Sequence, residues 1–324
     1  MVNNADQSQI KLRLRDRVDV ARDVVRLEFE AVGGEELPAW EPGAHLDMFL
    51  PSGISRQYSL CGDPGDTSTY AVAVLREPAG RGGSEEIHRD FTPGVEILSR
   101  RPRNHFELVD APDYVLVAGG IGVTPIKAMA EELERRGASW RLVYGGRSRE
   151  SMAFADQLAA FAPERVTLVP QDTDGLPDIA GIVGGLSPEG VIYCCGPAPL
   201  LDAVAAACET AGVADRLHIE RFSAPTDAPE IDTSGDFAFD VELRASGVTL
   251  HIAADQSILE AVQEIRPDIA SSCLEGYCGS CETDVIEGQP DHRGTLMSPE
   301  EHDEEGTMLI CVGRAKCSKL VLDL

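Results

Sequence analysis

The chain has 324 residues, room for two or three domains of about 100–150 residues each, and carries a net charge of −27 that opposes nucleic acid, anionic membranes and polyanionic substrates. No apolar run approaches the roughly 20 residues that span a bilayer, and the first stretch, "MVNNADQSQIKLRLRDRV", is polar without an apolar leader segment, so the expectation is a cytoplasmic protein. In that reducing setting nine cysteines speak against a disulfide scaffold, and those with ligand spacing speak for metal.

Over residues 1–106 short runs such as "VVRLEFEA", "HLDMFLP", "RQYSLC" and "YAVAVLRE" alternate apolar and polar residues between Gly, Pro and Asp clusters. This pattern predicts an antiparallel barrel or sandwich. In "RQYSL" (56–60) Arg56 and Tyr58, two residues apart, face the same side of a strand. A guanidinium beside an aromatic ring suits a flat ligand with a phosphate tail; an ordinary exposed strand face is the competing reading. "GRGGS" (80–84) precedes the helical stretch "EEIHRDF", so Ser84 and the amides around Gly82 and Gly83 make an anion-binding helix start.

Residues 107–224 change texture. "YVLVAGG" is followed by "TPIKAMAEELERRG", "WRLVYGG" by "ESMAFADQLAAFA", and "VIYCCGP" by "LLDAVAAACETAG". Strand then helix, repeated, predicts a parallel sheet covered on both faces. In "AGGIGVTPI" (118–126) Gly119, Gly120 and Gly122 follow a strand and Thr124 precedes a helix, a turn through which backbone approaches phosphate. The spacing is not G-x-G-x-x-G, and a plain strand-to-helix turn remains the alternative. "YCCGP" (193–197) ends the last of these strands, where open sheets place ligands; Cys195 is expected in the cleft and Cys194 in the core. Arg147 and Arg149 in "GGRSRES" follow the second strand, where arginines suit a ribose 2′-phosphate. His218 and Glu220 read as completing a last strand, with no acid–base role required of either.

A Pro-, Ser-, Thr- and Asp-rich linker is expected over 225–236. Beyond it, over 237–324, "FAFDVELRASGVTLHIAA" reads as a hairpin, "SILEAVQEI" as a short helix, and "TMLICVGRA" and "KLVLDL" as closing strands. Residues 225–324 hold 21 Asp+Glu against 6 Lys+Arg, net −15, while residues 1–224 hold 34 against 22, net −12. The denser acidity fits either partner docking or salt tolerance.

Cys273, Cys278 and Cys281 in "CLEGYCGSC" are spaced C-x4-C-x2-C, and Cys311 follows after a gap of 29. This is the plant-type [2Fe–2S] ligand pattern; zinc more often takes two paired knuckles, whereas here the fourth ligand arrives alone on a strand. Gly276 and Gly279 let the loop wrap and leave amides to donate to sulfur. Cys61, Cys208 and Cys317 fit no ligand slot, and the histidines are scattered without ligand spacing.

Taken together, "RQYSL", "GRGGS", "AGGIGVTP", "YCCGP", "IERF" and "CLEGYCGSC…C" resemble the phthalate dioxygenase reductase family across nearly the whole chain. The resemblance implies a six-stranded antiparallel flavin barrel, a parallel-sheet NAD domain and a C-terminal plant-type ferredoxin of β-grasp fold. It implies FMN, with Arg56, Gln57, Tyr58, Ser59, Gly82, Gly83 and Ser84 matching the flavin motifs. Gly120, Thr124, Cys195 and Gly196 match the nicotinamide-nucleotide motifs, and Gly119, Gly122 and Pro197 beside them are expected in the same cofactor site. Phe222 matches the aromatic residue that shields the flavin; a packed linker Phe is its plainer reading. Cys195 and Phe222 are thereby the residues expected at the reacting atoms. The implied activity is an NADH-dependent reductase, with Arg147 leaving NADPH as the alternative, that hands single electrons to a Rieske-type oxygenase such as an aromatic dioxygenase or O-demethylase. A cytochrome P450 or a quaternary-amine monooxygenase is the alternative acceptor, and a zinc-stabilised binding module the alternative class. A monomer is expected. The chemistry is coherent: a flavin accepts an electron pair as hydride and releases it singly to iron.

Overall fold

The computed structural model describes residues 9–223, 231–267, 269 and 271–324. One compact unit ends at Phe222 and a second begins at Ser223. No helix among the described residues is long and apolar enough to cross a membrane.

The first unit opens with β1 (Ile10–Ala21), β2 (Val24–Ala31), β3 (Ala44–Phe49), β4 (Ser55–Ser59), β5 (Tyr70–Leu75), α1 (Gly83–Asp90), β6 (Glu96–Ser99) and β7 (Arg103–Asn104). The strands pair antiparallel in the order β4-β3-β6-β1-β2-β5, with β7 added beside β3. Leu60, just past β4, bridges Val72 of β5, so the ends of the sheet meet and six strands close a barrel. Alternation in β2 sends Val25, Leu27 and Phe29 into the barrel with Leu46, Met48, Tyr70 and Val72.

The same unit continues with five parallel strands, β8 (Asp113–Gly119), β9 (Ser139–Gly146), β10 (Val166–Pro170), β11 (Val191–Cys195) and β12 (Leu217–Glu220). Their order is β10-β9-β8-β11-β12. Between them run α2 (Val123–Arg136), α3 (Ala155–Phe161), α4 (Gln171–Asp174), α5 (Ile179–Gly184) and α6 (Ala198–Ala211). Alternate residues of β8 and β11 divide between two cores: Leu116, Ala118, Tyr193 and Cys195 pack with α2 and α3, while Val115, Val117, Ile192 and Cys194 pack with α5 and α6. The core around α2 also takes in Val24, Cys61, Ala71, Ala73 and Phe106 from the barrel. The break expected at 106/107 therefore runs through one continuous core, and the two lobes form a single unit.

The second unit holds β13 (Phe239–Leu243), β14 (Val248–Ile252), α7 (Ile258–Gln263), β15 (Glu282–Glu287), β16 (Pro290–Asp291), α8 (Pro299–Glu305), β17 (Thr307–Leu309), β18 (Arg314–Ala315) and β19 (Lys319–Leu322). Its main sheet runs β14-β13-β19-β15-β17, with β13 and β19 parallel, and β16 pairs with β18. Helix α7 starts in a capping box of Ser257 and Glu260 and buries Ile258, Leu259 and Val262 on the sheet's core. This is the β-grasp ferredoxin arrangement. The expected linker at 225–236 lies partly outside the described residues, and its last member, Asp236, already belongs to this unit: its carboxylate is 2.5 Å from Arg293 and 3.5 Å from Arg314.

Arg314 is the buried clamp of the second unit. Its guanidinium donates to the carbonyls of Gln256 (2.6 Å), Phe237 (2.9 Å) and Ala253 (3.0 Å). Removing the charge leaves Asp236 and three carbonyls without that partner, so Arg314→Met should destabilise the second unit by about 3 kcal/mol. Hydrogen exchange should register the loss in residues 237–324 and leave the barrel amides unchanged.

Candidate functional site

The strand that carries "RQYSL" is β4, paired with β3 so that Met48 stands opposite Arg56 and Leu46 opposite Tyr58. Arg56 spans outward from the strand: its guanidinium donates to the carbonyls of Ser55 at 2.7 Å and Arg81 at 2.8 Å, tying β4 to the loop before α1. Gly83 is needed there, because a Cβ at that position would sit 2.8 Å from Arg56 Cγ. Gly82 takes φ +82° at the N-cap of α1, a conformation glycine adopts without strain. Ser84 does not point its hydroxyl at open space; it accepts from the Glu77 amide at 3.0 Å and holds the loop shut on itself. Gln57 turns to the opposite side of the strand, 3.0 Å from the buried His45 ring, in a network with Asp47 and Arg103. Of the barrel motif, then, Arg56 ties β4 to the Gly82–Gly83 turn, while Gln57 and Ser84 are bonded within the barrel to His45 and the Glu77 amide.

On the nucleotide side, the strand order reverses between β8 and β11, which opens a crevice beyond their carboxyl ends. Two loops meet there backbone to backbone. A Cβ on Gly122 would lie 2.3 Å from the Cys195 carbonyl oxygen, and one on Gly119 would lie 2.7 Å from Pro197 Cδ. Gly196 is equally confined, 3.0 Å from Gly119. Gly120 takes φ +53° in the one-turn 3-10 segment that leads into α2. The 3-10 turn runs straight into α2, where the Val123 amide bonds back to the Gly120 and Ile121 carbonyls. Thr124 is buried, and its hydroxyl donates to Ile121 O at 3.0 Å, so it shapes the turn. Arg147 is exposed with no side-chain partner among the described residues, whereas Arg149 pairs with Asp156 at 2.5 Å.

Cys195 differs from expectation. It is fully buried, not open to the cleft, and burial together with the neighbouring Glu220 pushes its thiol well above the ordinary range. The reason is the shared core of the two lobes, which a strand motif does not reveal. Cys194 lies in the opposite core, as expected. Glu220, read from the sequence as a strand-completing residue, turns out to join the lobes: its Oε2 accepts from the Ser59 hydroxyl at 3.3 Å and from the Cys195 thiol at 3.8 Å. The available signal was an acidic residue at the carboxyl end of a parallel strand, where ligands bind. Phe222, two residues on, is half-exposed.

In the second unit the loop 273–281 wraps through positive φ at Leu274, Gly276 and Gly279. A Cβ on Gly276 would strike Val312 at 2.7 Å and Gly294 at 2.8 Å, so glycine there lets three loops close together. Cys311 sits in the turn two residues past β17, not within a strand. Among the described residues no three His, Cys, Asp or Glu side chains converge as one ion requires. The thiols instead neighbour one another in a chain: Cys278 neighbours Cys273, and Cys311 neighbours both Cys273 and Cys281. Crowding against Cys273 and burial raise the Cys278 thiol, the response of sulfurs that need positive charge between them to ionise together. The amides of Glu275 and Gly276 donate to Cys273 and Cys311. Neighbouring thiols with amide donors fit a two-iron cluster. Elsewhere, His45 stacks on His105 and His292 on His302, neither pair bearing on the thiols.

Comparison with known proteins agrees with this geometry. Residues 241–316 match the 2Fe-2S iron-sulfur cluster binding domain, and residues 116–206 match the oxidoreductase NAD-binding domain. The chain is 42% identical over 324 residues to phenoxybenzoate dioxygenase subunit beta of Ectopseudomonas oleovorans, covering 99% of each. An intact type IV self-sufficient cytochrome P450 monooxygenase superposes with TM-score 0.86 at 40% identity, covering 98% of this chain; the chain spans 41% of that longer polypeptide. A solved phthalate dioxygenase reductase, described as a modular structure for electron transfer from pyridine nucleotides to [2Fe-2S], covers 98% of both chains at 35% identity and TM-score 0.71. With all three modules present in one order over the full length, the chain belongs to the phthalate dioxygenase reductase family.

Proposed function

We propose that this protein is the reductase component of a Rieske-type oxygenase, taking hydride from NADH onto FMN and delivering single electrons through a [2Fe–2S] cluster. The observation that carries this reading is the Ser59–Glu220–Cys195 contact, which joins the β4 strand of the flavin motif to the strand ends at the nucleotide crevice. Bound FMN supplies the two-electron to one-electron conversion, and the cluster supplies the exit.

The chain's own residues do the positioning. Arg56 and the amides at Gly82 and Gly83 would hold the FMN phosphate, and Tyr58 would stand beside its ring. Gly119, Gly120, Gly122 and Gly196 would admit the pyrophosphate and Pro197 and Phe222 would border the nicotinamide, with the buried Cys195 contributing only the carbonyl that meets Gly122. Cys273, Cys278, Cys281 and Cys311 hold the irons. Unpaired Arg147 is the residue through which NADPH would compete with NADH. An oxygenase component is the partner, an aromatic dioxygenase or O-demethylase foremost; a cytochrome P450 acceptor is supported by the same fold occurring in a self-sufficient P450 chain. A cytoplasmic monomer suits thiols that must stay reduced until they meet iron.

Glu220 adds a pH signature. Burial raises its carboxyl from about 4.5 to about 8, against smaller opposing effects of Ser59 and Cys195. The folded protein therefore holds the proton more tightly than the unfolded chain does. Stability from this group is complete below pH 4.5 and is lost as pH rises to about 8.

Anaerobic addition of NADH should bleach the flavin band and then the iron–sulfur band; oxidised spectra after NADH would overturn the reading. Cys278→Ser should abolish the cluster yet keep FMN and reduce a small dye at roughly the wild-type rate, since that step ends at the flavin. Glu220→Gln should flatten the stability difference between pH 5 and 8, where the wild type should fall by up to about 1.4 kcal/mol per pH unit relative to the variant. Chemical denaturation across that range is the measurement.

A further inference from the structure

Lys127 is a charged side chain where the packing calls for an apolar one. It lies in the first turns of α2, and its side chain is 6% exposed. A buried ammonium carries a desolvation cost that only well-placed partners offset. Three surround it: the Cys61 carbonyl at 3.1 Å, the Glu131 carboxylate at 2.8 Å, and the Phe154 ring, whose centroid is 5.6 Å away. Two of the three, Glu131 and Phe154, belong to the same lobe as the lysine. The third does not.

Cys61 follows β4, two residues past Ser59. Its amide already donates to Ala71 O of β5 at 2.8 Å, so the peptide is fixed to the barrel on one side and to α2 on the other. Ser59, meanwhile, is tied to Glu220 at the end of β12. The three-residue segment 59–61 is thus held from both banks of the nucleotide crevice, by Glu220 beyond Cys195 and by the helix that begins at Gly122. A methionine or leucine at 127 would fill the same space but leave the Cys61 carbonyl without its donor.

We propose that Lys127 is a positioning residue for hydride transfer: its bond to the Cys61 carbonyl sets the separation between the flavin strand and the nicotinamide crevice. The inference rests on the FMN and NADH reading given above. Reacting groups misplaced by about 1 Å lose on the order of 100-fold in rate, so a partial loosening is expected to cost about tenfold. Nothing in this role alters the affinity for either cofactor.

The test uses the full-length holoprotein under anaerobic stopped flow, with hydrogen exchange of the same samples before NADH is added. Lys127→Met should bind FMN fully and NADH normally, yet reduce flavin about tenfold more slowly at saturating NADH, with faster exchange at amides 59–61. Lys127→Arg, which keeps a charged donor, should recover to within about threefold of the wild type. If Lys127→Met does not fold, Lys127→Gln is read in the same way. A limiting rate and segment exchange equal to the wild type in whichever neutral variant folds would overturn the proposal. Failure of both to fold would also count against it, since the lysine would then belong to the framework. Absence of NADH-driven flavin reduction in the wild type would defeat the functional reading instead.

Discussion

Hydrogen is the largest side chain that position 122 accepts, because the Cys195 carbonyl stands where a Cβ would be. That close approach brings the loops after β8 and β11 into direct backbone contact, and the rest of the first unit is arranged around it. The glycines at 119 and 196 extend the contact, the turn into α2 starts beside it, and Glu220 reaches Cys195 from the neighbouring strand. A bulkier residue at any of these three positions would separate the loops and with them the ends of β8 and β11.

The buried titratable groups of the first unit gather at the same joint. Cys195 and Lys127 are removed from solvent and Glu220 partly so, and each places a polar atom on a partner in the adjoining lobe or strand. In an apolar core such groups cost stability unless paired, so their pairing ties down the relative placement of barrel and parallel sheet more tightly than hydrophobic contact alone, which is non-directional.

Most of the architecture was legible because it follows local periodicity. "VVRLEFEA" alternates and becomes β2; "TPIKAMAEELERRG" repeats at helical spacing and becomes α2, ending at the left-handed Gly137. The thiol loop was legible for a different reason, that ligand spacing is set by covalent reach. What escaped were properties fixed by packing between distant segments. The burial of Cys195 depends on barrel residues over 100 positions earlier, Gln57 is claimed by His45, and Ser84 by the Glu77 amide. Glu220 looked peripheral because a carboxylate at a strand end ordinarily faces water. Arg147 and Arg149 looked equivalent until Asp156 took one of them.

The contact of Gly276 with Gly294 and Val312 bears on how the metal centre is built. Three of the four sulfurs arrive on one short loop, but the wall behind them is supplied by residues 18 and 36 positions further along. The loop that carries three thiols is therefore walled by turns far along the chain, and the fourth thiol, Cys311, lies next to one of the two wall residues, Val312.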